Sequence, residues 1–244
     1  MTFPPSAKPI SDAQRVLCVA AHPDDLDFGC SGTIAAWVAK GLDVTYVIVT
    51  RGEAGGFDEA VPRAEIPGIR EAEQRAAAEE LGVSTVEFLD GYRDGIVTPS
   101  LELRKDLTAA IRRHRPDRVV TSSPLRRWER IHGPSHPDHL AVGEAVTCAV
   151  YPDARNPFAH EDLRDVPPWT VREIWFFGGP SPDHGIDVTA TFDRKLAALR
   201  AHVSQTERHA DLRAFLGPMH RANARAAGFP EDALAEAFTV IRTA

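Results

Sequence analysis

Thiols are scarce in this chain. Its three cysteines, Cys18, Cys30 and Cys148, form an odd set with no C-x-x-C pair, which argues against both a disulfide framework and a thiolate zinc site. No apolar run approaches the roughly 20 residues that span a bilayer. The opening MTFPPSAKPI also lacks the basic stretch and apolar segment of a secretory leader. A cytoplasmic protein without a membrane span is expected. Positive charge is also in short supply: 28 Lys and Arg stand against 35 Asp and Glu, for a formal net charge of −7. A protein that binds nucleic acid by neutralising phosphates needs the opposite balance, so no nucleic-acid partner is expected. There is no internal repeat or low-complexity tract, and no G-x-G-x-x-G follows the first apolar run, which removes the main sign of a dinucleotide site.

What is present is ordinary globular composition, 43% hydrophobic and 26% charged over 244 residues, enough to bury a sizeable core. Residues 1–14 read as a flexible or loosely packed lead-in, and residues 15–244 as a single domain. RVLCVAA (15–21) is apolar without a break after Arg15, as suits a strand covered on both faces. Helical spacing over 31–41, a strand over 43–50, a helix over 69–82, a strand over 84–89, a helix over 101–114 and a strand over 117–122 follow in alternation. Such alternation predicts an α/β fold, a Rossmann-like three-layer sandwich with a mostly parallel sheet. Beyond Val150 a Pro-rich stretch to Trp169 reads as an ordered loop. Strands are then expected over 171–179 and 185–191, and helices over 192–205 and 208–228, the last interrupted by Pro218.

In an open parallel sheet, ligands bind beyond the carboxyl ends of the strands. The first exit carries His22, Asp24 and Asp25, the second Arg51 and Glu53, the third Asp90, Arg93 and Asp94, and the fourth leads to HPDH. If HPDH opens a helix, His136 and His139 share one face. His22 and His139 with one carboxylate of the first loop make a two-histidine, one-carboxylate site open to water. Catalytic zinc takes such ligands, and non-haem iron(II) takes similar ones. Adjacent Asp24 and Asp25 project differently, so one can ligate metal while the other accepts a proton from the activated water. His136 is left to face a developing oxyanion or to protonate a leaving amine. Plainer readings exist beside these. Asp25 or Asp27 can cap a helix, and His114, His160, His184, His209 and His220 read as surface or capping groups. His202 reads as a packed helix residue with a satisfied hydrogen bond, and Arg126, Arg127, Trp128 and Arg130 as a solvated loop.

AHPDD with CSGTIA just after it, then TRGEAGG, then HPDH resemble the LmbE-like (PIG-L) family of zinc-dependent N-deacetylases. The likeness runs from about Val16 to the carboxyl end, where DRKLAALRAHVSQ and AEAF also look like the family. It implies an LmbE-like fold in which His22, Asp25 and His139 bind zinc, Asp24 is the general base, and His136 stabilises the oxyanion or acts as acid. It also implies that Arg70 and Asp94 contact substrate, although Arg70 lies on a Glu-rich stretch where a surface ion pair is the plainer reading. The implied reaction removes an N-acyl group, above all acetyl, from a small sugar-like substrate such as an N-acetylglucosamine conjugate. Two departures stand out. Leu26 and then Asp27 occupy the place where the family commonly has Glu after H-P-D-D, and Pro134 stands where some sugar-thiol deacetylases carry Tyr. Two alternatives are an amidase acting on a thiol-sugar conjugate and a non-catalytic Rossmann-like ligand-binding domain. The latter is disfavoured by the missing glycine fingerprint and by two aspartates that would repel a pyrophosphate. The stretch 151–169 either roofs the site or packs on a second copy, leaving a homo-oligomer open.

Overall fold

The computed structural model describes residues 2–3 and 8–244; Met1 and residues 4–7 of the expected lead-in lie outside the described residues. The chain enters at the middle of its sheet. β1 (Arg15–Ala20) pairs in parallel with β2 (Asp43–Ile48) on one side and with β4 (Arg118–Ser122) on the other. β3 (Thr85–Phe88) extends the first side and β5 (Glu173–Phe177) the second, both parallel. β6 (His184–Asp187) and β7 (Ala235–Arg242) complete seven strands in the order β3-β2-β1-β4-β5-β7-β6, with β7 antiparallel to both its neighbours.

Alternation along β1 explains why the run is apolar throughout. Val16, Cys18 and Ala20 enter one buried cluster with Leu26, Ile34, Trp37, Tyr46 and Leu81, while Leu17, Val19 and Ala21 enter another with Leu103, Leu107, Ile111 and Val142. The first cluster lies under α1 (Asp25–Gly29), α2 (Ser31–Ala39), α3 (Ile66–Leu81) and α6 (Phe192–Ala201). The second lies under α4 (Leu101–His114) and α5 (Pro137–Cys148). The fold is therefore the expected α/β sandwich. Because the chain builds outward from β1 to β3 before crossing to β4, the turn after β1 and the loop leading into α5 meet at the crevice where strand order reverses.

Three expectations need correction, and one strand was not anticipated. The carboxyl-terminal segment is a strand, β7, which short alternation around a buried Glu236 had concealed. The extended segment before α6 is shorter than 185–191: β6 ends at Asp187 and a 3₁₀ turn covers Thr189–Thr191. The helix expected over 192–205 breaks at His202 (φ −84°, ψ 62°), giving α6 and a one-turn α7 (Val203–Thr206). Pro218 lies inside α8 (Leu212–Ala227) rather than interrupting it. Pro218 and Ala214 are both exposed, so water can take the carbonyl that the missing N–H leaves free. Arg112, buried on α4, donates to the carbonyls of Asp153, Ala154, Asn156, Leu163 and Val166, which gives the Pro-rich stretch its order.

A buried ion pair fixes the break between α1 and α2. Lys195 Nζ donates to the carbonyls of Asp27 and Phe28 at the end of α1, each at 2.8 Å. Glu236 accepts from Gly32 N and Thr33 N in the first turn of α2, at 3.0 and 2.7 Å, and from Lys195 Nζ at 2.8 Å. Cation at a helix C-terminus and anion at an N-terminus are the favourable pairings with the helix dipoles. Burial pushes the Glu236 carboxyl up, but Lys195 outweighs it and the pKa is lowered. A depressed carboxylate contributes stability that is complete above its unfolded-state pKa and is lost as pH falls through the folded one. Lys195→Met strands a buried carboxylate, so urea unfolding at neutral pH is expected to show a loss of about 3–5 kcal/mol. Adding Glu236→Gln is expected to return much of that loss.

Candidate active site

The site begins where β1 stops. After Ala21, His22 and Pro23, Asp24 adopts φ 87°, ψ −23°, a left-handed conformation that costs a non-glycine residue about 1–2 kcal/mol. This turn sends the adjacent carboxylates apart. Asp25, first residue of α1, folds back so that Oδ2 accepts from His22 N at 2.8 Å and Oδ1 lies 2.9 Å from His139 Nε2. Asp24 Oδ2 instead takes Arg70 Nη2 at 3.1 Å.

The second H-P-D segment does open a helix. His136 is the N-cap of α5, its Nδ1 accepting from Asp138 N at 3.3 Å, with Pro137 in the first turn. His139 then falls one turn along, beside His22. The three imidazoles form a near-equilateral triangle with centroids 5.1, 5.2 and 5.3 Å apart. His22 Nδ1 lies 3.2 Å from His139 Nε2 and 3.5 Å from Asp25 Oδ2. On the other side of the same ring, His22 Nε2 lies 3.0 Å from both Asp138 Oδ2 and Asp94 Oδ1. Asp138 is fully buried and also accepts from Gly95 N and Val97 N, tying α5 to the loop after β3.

The electrostatics follow from this crowding. Burial alone would lower the His22 pKa, but the Asp25 charge and bonds from Asp138, Asp25 and Asp94 raise it to about 12. Burial likewise opposes ionisation of Asp25, yet His139 and His22 hold it well below the usual carboxylate range. Asp94 and Asp138 are lowered for the same reason, burial being outweighed by His22. Asp24 goes the other way: burial, with the Asp25 charge adding to it, lifts it to about 6 against the opposing pull of Arg70. Burial and the neighbouring His22 and His139 lower His136.

These groups fit a divalent cation. Two carboxylates on His22 Nε2 require a proton there, which leaves the neutral ring's lone pair at Nδ1. His22, His136 and His139 each offer a ring nitrogen within 4.8 Å of the others, and the Asp25 carboxylate lies 2.9 Å from His139 Nε2 and 3.5 Å from His22 Nδ1. Imidazole and carboxylate donors without thiolate suit zinc and iron(II). The second tight trio, His22, Asp94 and Asp138, is the arrangement that orients a ligand ring from behind.

His22, Asp24, Asp25, Arg70, Asp94, His136 and His139 are thus brought into one cluster. Arg70 is only 4% exposed, so the surface ion pair is excluded. Its guanidinium passes under the TRGEAGG loop, donating to Gly52 O and Pro23 O, and a Cβ on Gly52 or Gly55 would lie 2.2 or 2.3 Å from its Nη1. The glycines of that motif therefore make room for Arg70. Asp94 faces His22 and accepts from Ala54 N at 3.1 Å. Arg51 turns away, to Glu71 and Asp90. His202 is buried and bonded to Asp27 as a packed histidine, but at a helix break, and its Nδ1 has no partner. His220 is buried as well, not on the surface. Sequence reasoning missed three residues: Asp138, whose signal was its place inside HPDH, and the buried Gln74 and Glu236, for which no local pattern existed; Asp27, read as a helix cap or a departure from the family, is buried and bonded to Gln74 and His202.

No helix among the described residues is long and apolar enough to cross a membrane. The sequence model of the family described as GlcNAc-PI de-N-acetylase matches residues 17–150, more than half of the chain. A diacetylchitobiose deacetylase of Thermococcus kodakarensis is 33% identical over 203 residues, covering 81% of this chain and 72% of its own. A 1D-myo-inositol 2-acetamido-2-deoxy-α-D-glucopyranoside deacetylase of Mycolicibacterium smegmatis is 32% identical over 250 residues, covering 84% of each. Among solved structures, the N,N'-diacetylchitobiose deacetylase from Pyrococcus horikoshii complexed with its inhibitor MPG matches with a TM-score of 0.87 at 31% identity, over 96% of this chain and 86% of that one. Motifs, fold and these identities agree, and the chain belongs to the PIG-L, or GlcNAc-PI de-N-acetylase, family.

Proposed function

We propose that this protein is a cytoplasmic, metal-dependent N-deacetylase that hydrolyses the acetamido group of a small N-acetylglucosamine conjugate. One observation carries the reading: His22 Nδ1, His139 Nε2 and the Asp25 carboxylate lie 2.9, 3.2 and 3.5 Å apart in pairs, while the adjacent Asp24 bonds to Arg70 instead. The relatives' names, which specify deacetylases of diacetylchitobiose and of an acetamido-glucopyranoside, support the substrate class.

His22, Asp25 and His139 are the proposed ligands, for zinc or, with the same donors, iron(II). A bound cation would supply Lewis-acid polarisation of the acyl carbonyl and ease deprotonation of water. Asp24, lifted towards neutrality by burial, takes a proton from the attacking water and returns it to the nitrogen as the C–N bond breaks, leaving acetate and a free amine. Arg70 holds one oxygen of Asp24, so the other is free for that proton. With His136 Nδ1 occupied as an acceptor from Asp138 N, the neutral ring carries its proton on Nε2, where it can donate to the carbonyl oxygen as negative charge develops. Arg70 and Asp94 are the proposed substrate contacts. Each is already engaged, with Asp24 and His22 respectively, so either contact couples substrate binding to the base or to a ligand.

The purified chain is expected to contain metal and to release amine from an N-acetylglucosamine conjugate, with activity lost on chelation. Absence of bound metal in both the wild type and His22→Ala would overturn the reading. Asp24→Ala is expected to retain metal and lose on the order of 10²–10⁴ in turnover, whereas Asp25→Ala loses both; equal metal retention in the two variants would contradict the assignment. His136→Ala, with its metal retained, is expected to cost about 10²–10³ in kcat.

A further inference from the structure

The left-handed turn at Asp24 is strained, and strained backbone persists only where surrounding structure over-determines it. Three contacts hold it. Arg70 Nη2 donates to Pro23 O at 2.6 Å and to Asp24 Oδ2 at 3.1 Å, and Phe28 N donates to Asp24 O at 2.9 Å. The third comes from Gln74, one turn after Arg70 on α3, whose Oε1 accepts from Asp24 N at 2.9 Å.

Gln74 is itself held from behind. Its Nε2 donates to Asp27 Oδ2 at 2.8 Å, and His202 Nε2 lies 2.8 Å from the same oxygen. All three side chains are fully buried. The amide has only one workable orientation, because a backbone N–H can only donate and a carboxylate only accept. One atom of each end group, Asp27 Oδ1 and His202 Nδ1, has no hydrogen-bond partner. Replacing such a buried polar trio by apolar groups of the same volume can be neutral or stabilising. Packing alone therefore does not account for this chain of groups, and it ends on the backbone of the proposed base.

We infer that Gln74, locked by the Asp27–His202 pair, is a positioning residue that holds Asp24 in its left-handed conformation and so sets the rate of the proton-transfer step. This rests on the reading of Asp24 as general base. It gives Asp27 a purpose: the acid that follows H-P-D-D one residue late points away from the cluster and clamps the residue that orients it. Leu26, between them, is a core residue of the α1 side.

The test is a double-mutant cycle with metal content measured on every variant. Gln74→Met, similar in volume and unable to accept from Asp24 N, is expected to lower kcat about 10- to 100-fold, with KM changed less than about twofold and metal retained. In an Asp24→Asn background the same substitution is expected to change kcat by less than about twofold, because the group it positions can no longer take a proton. A wild-type kcat in Gln74→Met, a loss carried by KM, or an equal fold-loss in both backgrounds would overturn the inference. If Gln74→Met does not fold, His202→Asn serves in its place: it loosens Asp27 and is expected to show a smaller kcat loss with the same dependence on Asp24, and an unchanged kcat there overturns the role given to the pair. Failure of the underlying reading looks different, since Asp24→Asn alone would then keep wild-type turnover.

Discussion

The turn at Pro23–Asp24 is the constraint on which the site depends. Consecutive residues of a strand point to opposite faces and those at the start of a helix diverge by about 100°, but neither geometry would aim one of two neighbouring carboxylates at His139 and the other at Arg70. A positive φ at Asp24 does so, placing Asp25 at the start of α1 with its carboxylate folded back on His22 N. The residue that turns the chain is also the one whose carboxylate is left over, so the strain and the division of roles arise at the same position.

Charge explains why so much of the molecule converges there. Asp25, Asp94 and Asp138 lie around one imidazole, and Asp24, next to Asp25 in the chain, is bonded to the Arg70 guanidinium. Four carboxylates so close would repel unless cations balance them. The upward shift of His22 and the downward shifts of Asp25, Asp94 and Asp138 express that demand. Asp24 alone shifts up, which is the property a proton acceptor near neutrality requires. One environment thus separates two adjacent carboxylates into a fixed anion and a titrating group.

The parts legible in the sequence were those whose signal was local. The unbroken apolarity of β1 announced a strand buried on both faces, and the two H-P-D segments at strand exits announced His22, Asp25, His136 and His139. What stayed hidden is held across long separations. Gln74 meets Asp24 from 50 residues away, and His202 meets Asp27 from 175. Glu236 caps α2 from 204 residues away, inside a strand whose buried acid breaks the expected alternation. Periodicity reports which face of an element is buried; it carries no information on which buried polar groups find each other. Arg70 shows the same limit, because a Glu-rich helix looks solvated until the TRGEAGG loop and the turn after β1 meet its guanidinium.

Pro134 bears on how the carbonyl end of the reaction is handled. It stands where some relatives place a tyrosine, and a Cβ on Gly178, at the end of β5, would lie 2.9 Å from the Pro134 Cβ. The segment is also stitched down by Arg126 Nη1 to Ser135 O and by Arg127 N to Ser135 Oγ. Proline at this position supplies no phenol to the site. The proposed function gives the oxyanion to His136, which caps α5; that cap bond commits Nδ1 as acceptor and leaves Nε2–H as donor. Preorganised donors need no reorganisation as charge develops. On the proposed function, helix capping, which the structure shows, and oxyanion stabilisation, which is proposed, are two uses of one imidazole.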